Sequence, residues 1–213
     1  MKDLASIRRD YRRAELDVPG TSADPLEQFN RWLSEARQVE SLEPTAMTLA
    51  TVDADGQPDA RVVLLKDFGV DGFTFFTDYR SRKGKQLAGN PNAALCFWWG
   101  ELERQVRIVG RCEKLSDAAS EAYFRTRPRE SQISAWTSLQ SSEVADREVL
   151  EAEWQVNHRR FEDLEVSRPS HWGGYRLIAI EYEFWQGRPG RFHDRIQYRP
   201  TAEGAWRRVR LSP

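Results

Sequence analysis

Three stretches of this chain place cationic or titratable side chains close together. In Arg191-Phe192-His193-Asp194-Arg195, the alternate residues Arg191, His193 and Arg195 would share one face of a strand. Three such groups repel one another unless an anionic or electron-rich ligand lies against them. The alternative is a solvated edge strand whose arginines pair with Asp or Glu. Ser81-Arg82-Lys83 opens a helix, where free backbone N–H groups and two cations together suit a phosphate. A solvated basic turn is the other reading. Tyr123 and Arg127 stand four apart, on one helix face, with Pro128 ending that helix and Ser131 following. A phenol, a guanidinium and a hydroxyl near one helix end could hold a phosphate, although a plain surface Tyr–Arg pair has the same spacing.

Arg61 and Lys66 bracket Val62-Val63-Leu64-Leu65. A separation of five puts them on opposite faces of a regular strand. Both serve a site only if Lys66 lies at a bulge or strand end, or if the two meet different ligands. Gln105, in a polar strand, could bond a heteroaromatic ring edge or face water. Gln140-Ser141 precedes an expected helix start, and Trp185 in Glu183-Phe184-Trp185-Gln186-Gly187 reads most simply as core. His158 and His171 have no partner spacing. Cys96 and Cys112 are too few for a disulfide framework and lack metal-ligand spacing, so no metal site is expected. G-x-G-x-x-G, P-loop, H-E-x-x-H and G-x-S-x-G patterns are all missing. Two basic clusters without a dinucleotide fingerprint suggest two phosphorylated ligands side by side.

The elements that must position these residues read as follows. Asp24 and Pro25 start a helix carrying Leu26, Phe29, Trp32, Leu33 and Ala36 at helical spacing. Thr45–Val52, Arg61–Lys66 and Phe73–Thr77 read as strands joined by the turns at 53–57 and 69–72, which predicts two adjacent hairpins forming a meander. Ser81–Ala88 is a short helix stopped by Gly89-Asn90-Pro91. Ala93–Trp99 and Leu102–Leu115 are strands, and Ser116-Asp117 caps a helix that runs to Arg127. Ser142 to about Leu164 is expected as one long amphipathic helix. Tyr175–Trp185, Arg191–Tyr198 and Ala205–Leu211 close the chain as strands. Roughly eight strands with short links predict a mainly β, antiparallel barrel with peripheral helices. Residues 1–22 read as a short helix and loop or a mobile arm, with 23–213 as the barrel domain.

Composition narrows the function classes. The chain has 213 residues, enough to bury one substantial core, and its eight tryptophans argue against disorder. Lys plus Arg number 32 against 33 for Asp plus Glu, a net charge of −1, which does not suggest nucleic-acid binding. No apolar run approaches membrane-spanning length and the N-terminus lacks an apolar signal core, so a cytoplasmic protein with no membrane partner is expected.

Taken in order, Arg61–Lys66, Ser81-Arg82-Lys83, Glu103-Arg104-Gln105-Val106, Arg127-Pro128-Arg129-Glu130-Ser131-Gln132, Glu183–Gly187 and Arg191–Arg195 resemble the pyridoxamine 5′-phosphate oxidase family from about Ile7 to Pro213. Each motif is weak alone, and together they are specific. The resemblance implies a split β-barrel homodimer with FMN at the subunit interface. It implies oxidation of pyridoxamine or pyridoxine 5′-phosphate to pyridoxal 5′-phosphate, with O2 consumed and H2O2 released. It assigns Arg61, Lys66, Phe76, Thr77, Arg82, Lys83, Gln105, Gln140, Ser141, Trp185 and Arg195 to FMN. Lys66, Tyr123, Arg127 and Ser131 are implied for the substrate phosphate. Arg191 and His193 are implied over the pyridine ring and its reacting carbon, and Arg8 and Tyr11 in an arm that covers the site. A split-barrel oxidase of phenazine biosynthesis, a non-catalytic FMN- or heme-binding barrel and a pyridoxal-phosphate carrier are the competing readings.

Overall fold

A computed structural model describes residues 3, 10–39, 43–137 and 139–213. The expected arm residue Arg8 lies outside these. Five helices and nine strands are present among the described residues: α1 (Pro25–Val39), β1 (Ala46–Val52), β2 (Pro58–Leu64), β3 (Asp67–Gly69), β4 (Gly72–Asp78), α2 (Arg82–Gly89), β5 (Asn92–Trp99), β6 (Arg104–Lys114), α3 (Asp117–Thr126), α4 (Arg129–Thr137), α5 (Arg147–Arg160), β7 (Trp172–Gln186), β8 (Asp194–Pro200) and β9 (Trp206–Leu211). No helix among them is long and apolar enough to cross a membrane.

All strand pairs are antiparallel, in the order β2-β1-β5-β6-β7-β4-β3, with β8 on β7 and β9 on β8. The mainly β, antiparallel expectation holds. The meander does not: β1–β2 and β3–β4 are hairpins, but they lie at opposite ends of this order. The corner between them is two residues long. Leu65 N–H donates back to Thr45 O at 2.9 Å, on the β1 side. Lys66 N–H donates forward to Thr74 O at 2.9 Å, on the β4 side. The ends of the sheet thus meet covalently at Leu65-Lys66 without a ladder between them, and the barrel stays open. Lys66 accordingly sits past a strand end, the condition under which it and Arg61 can both serve.

Strand alternation makes the core. β1 and β5 turn every second side chain inward, including Met47, Leu49, Leu95 and Phe97. α1 plugs the barrel with the face read from its spacing. Phe29 meets the rings of Phe68, Phe73 and Phe97 edge-on at 5.0–5.1 Å, and Trp32 meets Phe184 at 5.3 Å. Asp24 caps the helix, accepting from Leu26 N–H at 2.8 Å. Gly110 lies at a bulge in the β6–β7 ladder, where a Cβ would approach Ile178 O to 2.1 Å. A second apolar cluster of Phe124, Ile133, Phe161, Val166 and Trp172 seats α3 and α4 outside the barrel.

The C-terminal helical region differs from the expected single helix over 142–164. α4 is a separate helix, and α5 begins only at Arg147, capped by Asp146 accepting from Val149 N–H at 2.9 Å. α5 buries no side chain completely, so its polar composition was satisfied by a shorter, solvated element.

α2 carries a sharp packing constraint. A Cβ on Gly84 would lie 2.3 Å from the Tyr79 carbonyl oxygen. By helix propensity alone Gly→Ala stabilises by about 1 kcal/mol. Here the contact reverses the sign, and Gly84→Ala is expected to destabilise by about 1–3 kcal/mol. Urea unfolding of the pair checks it; a more stable variant would show that α2 is free to shift.

Candidate functional site

A cleft of about 620 Å³ opens between the β2–β3 corner, the end of β4, the first turn of α2, the α3–α4 junction and Trp172. It gathers eight of the expected residues: Lys66, Phe76, Thr77, Lys83, Tyr123, Arg127, Ser131 and Gln140. Their separation in sequence is spanned by the sheet, because β4 lies beside the N-terminal half of β7 and α3 packs over that edge.

Lys83 is placed by the α2 cap. The Ser81 hydroxyl accepts from Gly84 N–H at 3.2 Å and donates to Asp78 O at 2.6 Å, holding the first turn against the end of β4. The Lys83 ammonium is buried. It donates to Thr77 Oγ1 at 3.3 Å and Gln140 Oε1 at 3.2 Å, while Thr77 Oγ1 donates to the same Gln140 oxygen at 2.9 Å. Burial, and then the charge of Arg61, hold its pKa below the usual lysine value. A buried cation at a helix N-terminus, bonded only to neutral oxygens, is a poor arrangement by itself and a good one for an anion. Asp78 does not neutralise it at ion-pair distance; both its oxygens are taken by Arg80, at 2.7 Å from the backbone N–H and 2.8 Å from Nη2.

Arg127 ends α3 in extended conformation just before Pro128. Its guanidinium lies 4.4 Å over the Trp172 ring, and its Nη1 is buried without a hydrogen-bond partner. Burial lowers its pKa. Tyr123, one turn earlier, stacks on Phe76 at 3.8 Å and 15°, and burial pushes its phenol up. Ser131 reaches the cleft from α4 rather than from a turn.

Arg61 and Arg82 form a second group. The Arg61 Nη atoms donate to Leu49 O, Thr51 Oγ1 and Gln86 Oε1, and Nη2 pairs with Asp59 at 2.6 Å. Only its Nε–H is left over. Arg82 Nε also meets Asp59, at 3.1 Å. Asp59 thereby shares one carboxylate between the two, and the cations lower its pKa against the opposing effect of burial.

Tyr11, Trp185 and His193 form a third group, outside the cleft. Their ring centroids lie 4.7–5.7 Å apart, and Gln105 faces Trp185 across the β6–β7 ladder. Gly187 makes room for Tyr11, since a Cβ there would be 2.7 Å from it. The arm is tied alongside by Arg12 and Arg13 N–H groups donating to Glu103 Oε2 at 2.9 and 3.0 Å.

The predicted shared face of Arg191, His193 and Arg195 is not formed. Pro189–Arg191 is a 3-10 turn, with Gly190 and Arg191 both at φ 64°, and β8 starts only at Asp194. Proline and glycine break the strand that alternation required. Arg195 instead pairs with Glu183, at 2.8 and 3.1 Å, the arrangement held open as the alternative reading. His193 Nδ1 accepts from Arg188 N–H at 3.2 Å, leaving the neutral ring's proton on Nε2. Burial, and then the Arg191 charge, lower its pKa, while Asp194 opposes this. Ser141 is exposed at φ 72° and does not line the cleft. Trp172, Asp59 and Gln86 were not singled out from the sequence; no spacing distinguishes them, because their partners come from distant strands. No cluster able to hold a metal ion occurs among the described residues.

Comparison with known proteins gives one consistent picture. Residues 33–156 match the family described as pyridoxamine 5′-phosphate oxidase, and residues 172–213 match the pyridoxine 5′-phosphate oxidase C-terminal dimerisation region. A pyridoxine/pyridoxamine 5′-phosphate oxidase of Ralstonia pickettii (strain 12J) is 56% identical over 213 residues, covering 100% of both chains. One from Trichormus variabilis is 51% identical over 212 residues, covering 100% of this chain and 99% of the relative. PhzG from Burkholderia lata 383, solved with tetrahydrophenazine-1-carboxylic acid, superposes with TM-score 0.85 at 29% identity, covering 92% of this chain and 95% of that one. A pyridoxamine 5′-phosphate oxidase-related, FMN-binding protein of Nostoc punctiforme has TM-score 0.70 at 18% identity, covering 91% and 100%, and shares the split-barrel fold.

The electrostatics of the third group can be tested directly. A histidine whose folded pKa lies below its unfolded value contributes stability above the unfolded value, and that contribution is lost as pH falls through the folded one. NMR titration of the His193 ring is expected to give a midpoint below 6.5. Arg191→Met is expected to raise that midpoint, because a repelling charge is removed. An unchanged midpoint would mean that Arg191 does not act on the ring.

Proposed function

The chain belongs to the pyridoxamine 5′-phosphate oxidase family, and from that premise we propose that it oxidises pyridoxamine 5′-phosphate or pyridoxine 5′-phosphate to pyridoxal 5′-phosphate as a cytoplasmic, FMN-containing homodimer. The observation that carries this reading is the cleft itself, in which buried Lys83 and half-buried Arg127 lack an ion-paired carboxylate among the described residues. Two such cations, one from the start of α2 and one from the end of α3, suit two phosphorylated molecules. The matched C-terminal dimerisation region supports the homodimer.

The residues present fit FMN. Lys83 and Arg82, at the start of α2, would hold its phosphate, with Arg61 fixed behind them by Thr51, Gln86 and Asp59. Phe76, Thr77, Lys66 and Gln140, which line the cleft, would border it. Gln105, Trp185, Arg191, His193 and Arg195 do not line this protomer's cleft and would approach the cofactor from the partner subunit, a reading that the matched dimerisation region supports. When bound, FMN supplies the hydride-accepting ring, which O2 returns to its oxidised state.

The protein's own part is placement and charge. Lys66, Tyr123, Arg127 and Ser131 would take the substrate phosphate and set the distance from it to the reacting carbon. Arg191 would fix the pyridine ring. His193, with Nδ1 engaged by Arg188, would present Nε2 to the substrate amine or alcohol. Tyr11, and Arg8 ahead of it, would cover the ring. The balance closes as amine, O2 and water giving aldehyde, ammonia and H2O2, or alcohol and O2 giving aldehyde and H2O2.

Two measurements test the proposal. The purified protein is expected to carry FMN and to release peroxide stoichiometrically with aldehyde when given pyridoxamine 5′-phosphate. Turnover of tetrahydrophenazine-1-carboxylic acid, with none of the phosphorylated pyridines, would move it toward the PhzG relative. Separately, Arg127→Met removes a charge-assisted bond of roughly 1.5–3 kcal/mol, so KM for the phosphorylated substrate should rise about 10- to 150-fold with kcat changing less. FMN affinity should stay the same. Equal loss on pyridoxine without its phosphate would assign Arg127 to the fold instead.

A further inference from the structure

We propose that Trp172 is a positioning residue that makes the cleft selective for phosphorylated substrate, by holding the Arg127 guanidinium on its ring face with that cation's donors left unspent. The inference rests on the reading of Arg127 as a ligand of the substrate phosphate.

An arginine in a cleft can be oriented in two ways. A carboxylate can hold it, which neutralises the charge and consumes the planar fork of donors. An aromatic face can hold it, which leaves the charge and the edge donors for an incoming anion. Arg127 is of the second kind. It has no ion pair among the described residues; its oriented contacts are the faces of Trp172 at 4.4 Å and Phe124 at 5.6 Å. Its Nη1 has no hydrogen-bond partner.

Trp172 is itself held rigidly enough to act as a shelf. Its backbone N–H donates to Pro169 O at 3.0 Å, its carbonyl accepts from Arg168 Nη1 at 2.5 Å, and it pairs with Asp78 across the β4–β7 ladder. Its ring runs parallel to Phe76 (13°) and Tyr123 (7°), so the three rings form one stacked wall. Loss of the indole would leave a buried guanidinium free to swing, with its donors no longer aimed together.

The test is a double-mutant cycle of Trp172→Leu and Arg127→Met, read as the ratio of kcat/KM for pyridoxine 5′-phosphate to that for pyridoxine. Trp172→Leu is expected to lower this ratio about 2- to 30-fold, through KM rather than kcat, the range from exposed to desolvated cation–π contacts. Trp172→Phe should restore most of it, and FMN affinity, to which Phe76 of the same wall would contribute, should change less than this ratio. The double variant should be no worse than Arg127→Met alone, because Trp172 acts through that residue. Equal losses on both substrates, or additive effects in the cycle, would make Trp172 a structural prop and overturn the proposal. A normal ratio in Arg127→Met would overturn the phosphate reading and the proposal with it; a lowered ratio there with a normal one in Trp172→Leu would overturn the proposal alone. If Trp172→Leu does not fold, the cycle is run with Trp172→Phe, whose smaller ring should give a smaller loss in the same direction that vanishes in the Arg127→Met background.

Discussion

The architecture depends on one long strand serving three neighbours. β7 runs from Trp172 to Gln186, pairing along its length with β6, through its first half with β4, and through its second half with β8. No strand can hold two partners on one side at the same place, so β4 and β8 must diverge, and the sheet splits there. The first half of β7 brings Trp172 against β4 and α3, where the cleft lies. The second half carries Glu183 and Trp185, with Arg195 opposite, away from that cleft. One ladder therefore separates the expected site residues that line this cleft from those that lie outside it.

Within the cleft, Lys83 and Arg127 have no carboxylate partner among the described residues. Lys83 and Arg127 are both pushed toward their neutral forms by burial. Several cations elsewhere are paired: Arg195 with Glu183, Arg61 with Asp59, and Arg210 with Asp194 at 2.6 Å. Uncompensated buried charge costs folding free energy, and an anion that binds only the folded state returns it. Cofactor and substrate are thus expected to stabilise the protein as well as react in it.

The N-terminal arm extends the same logic to the third group. Arg188 pairs with Glu15 at 2.6 Å, Arg208 donates to Thr21 O at 2.6 Å, and Glu103 takes two arm N–H groups. These anchors lay the arm along the β7–β8 hairpin and deliver Tyr11 to His193. Glu103 does this from a left-handed backbone at φ 53°, a local strain of the kind found where a side chain must be aimed.

Local signals in the sequence were sufficient for the parts of the protein whose causes are local. The α1 face, the Ser81 and Ser116 caps, the end of α3 before Pro128 and the alternation of β1, β5 and β6 all follow from residues within a turn or two of one another. The cations of the cleft were legible as well, because Ser81-Arg82-Lys83 and Tyr123-x-x-x-Arg127 carry their own geometry. Tertiary structure decided what depends on distant partners. The fate of Arg195 was set by Glu183, on a neighbouring strand. The order of the hairpins was set by β7, which comes about a hundred residues after them. The contact of Trp172 with Arg127 was invisible because an indole's spacing says nothing about which guanidinium will lie on it. The face of Arg191 and His193 failed for a local reason that alternation outweighed: Pro189-Gly190 supplies a turn where a period of two required a strand.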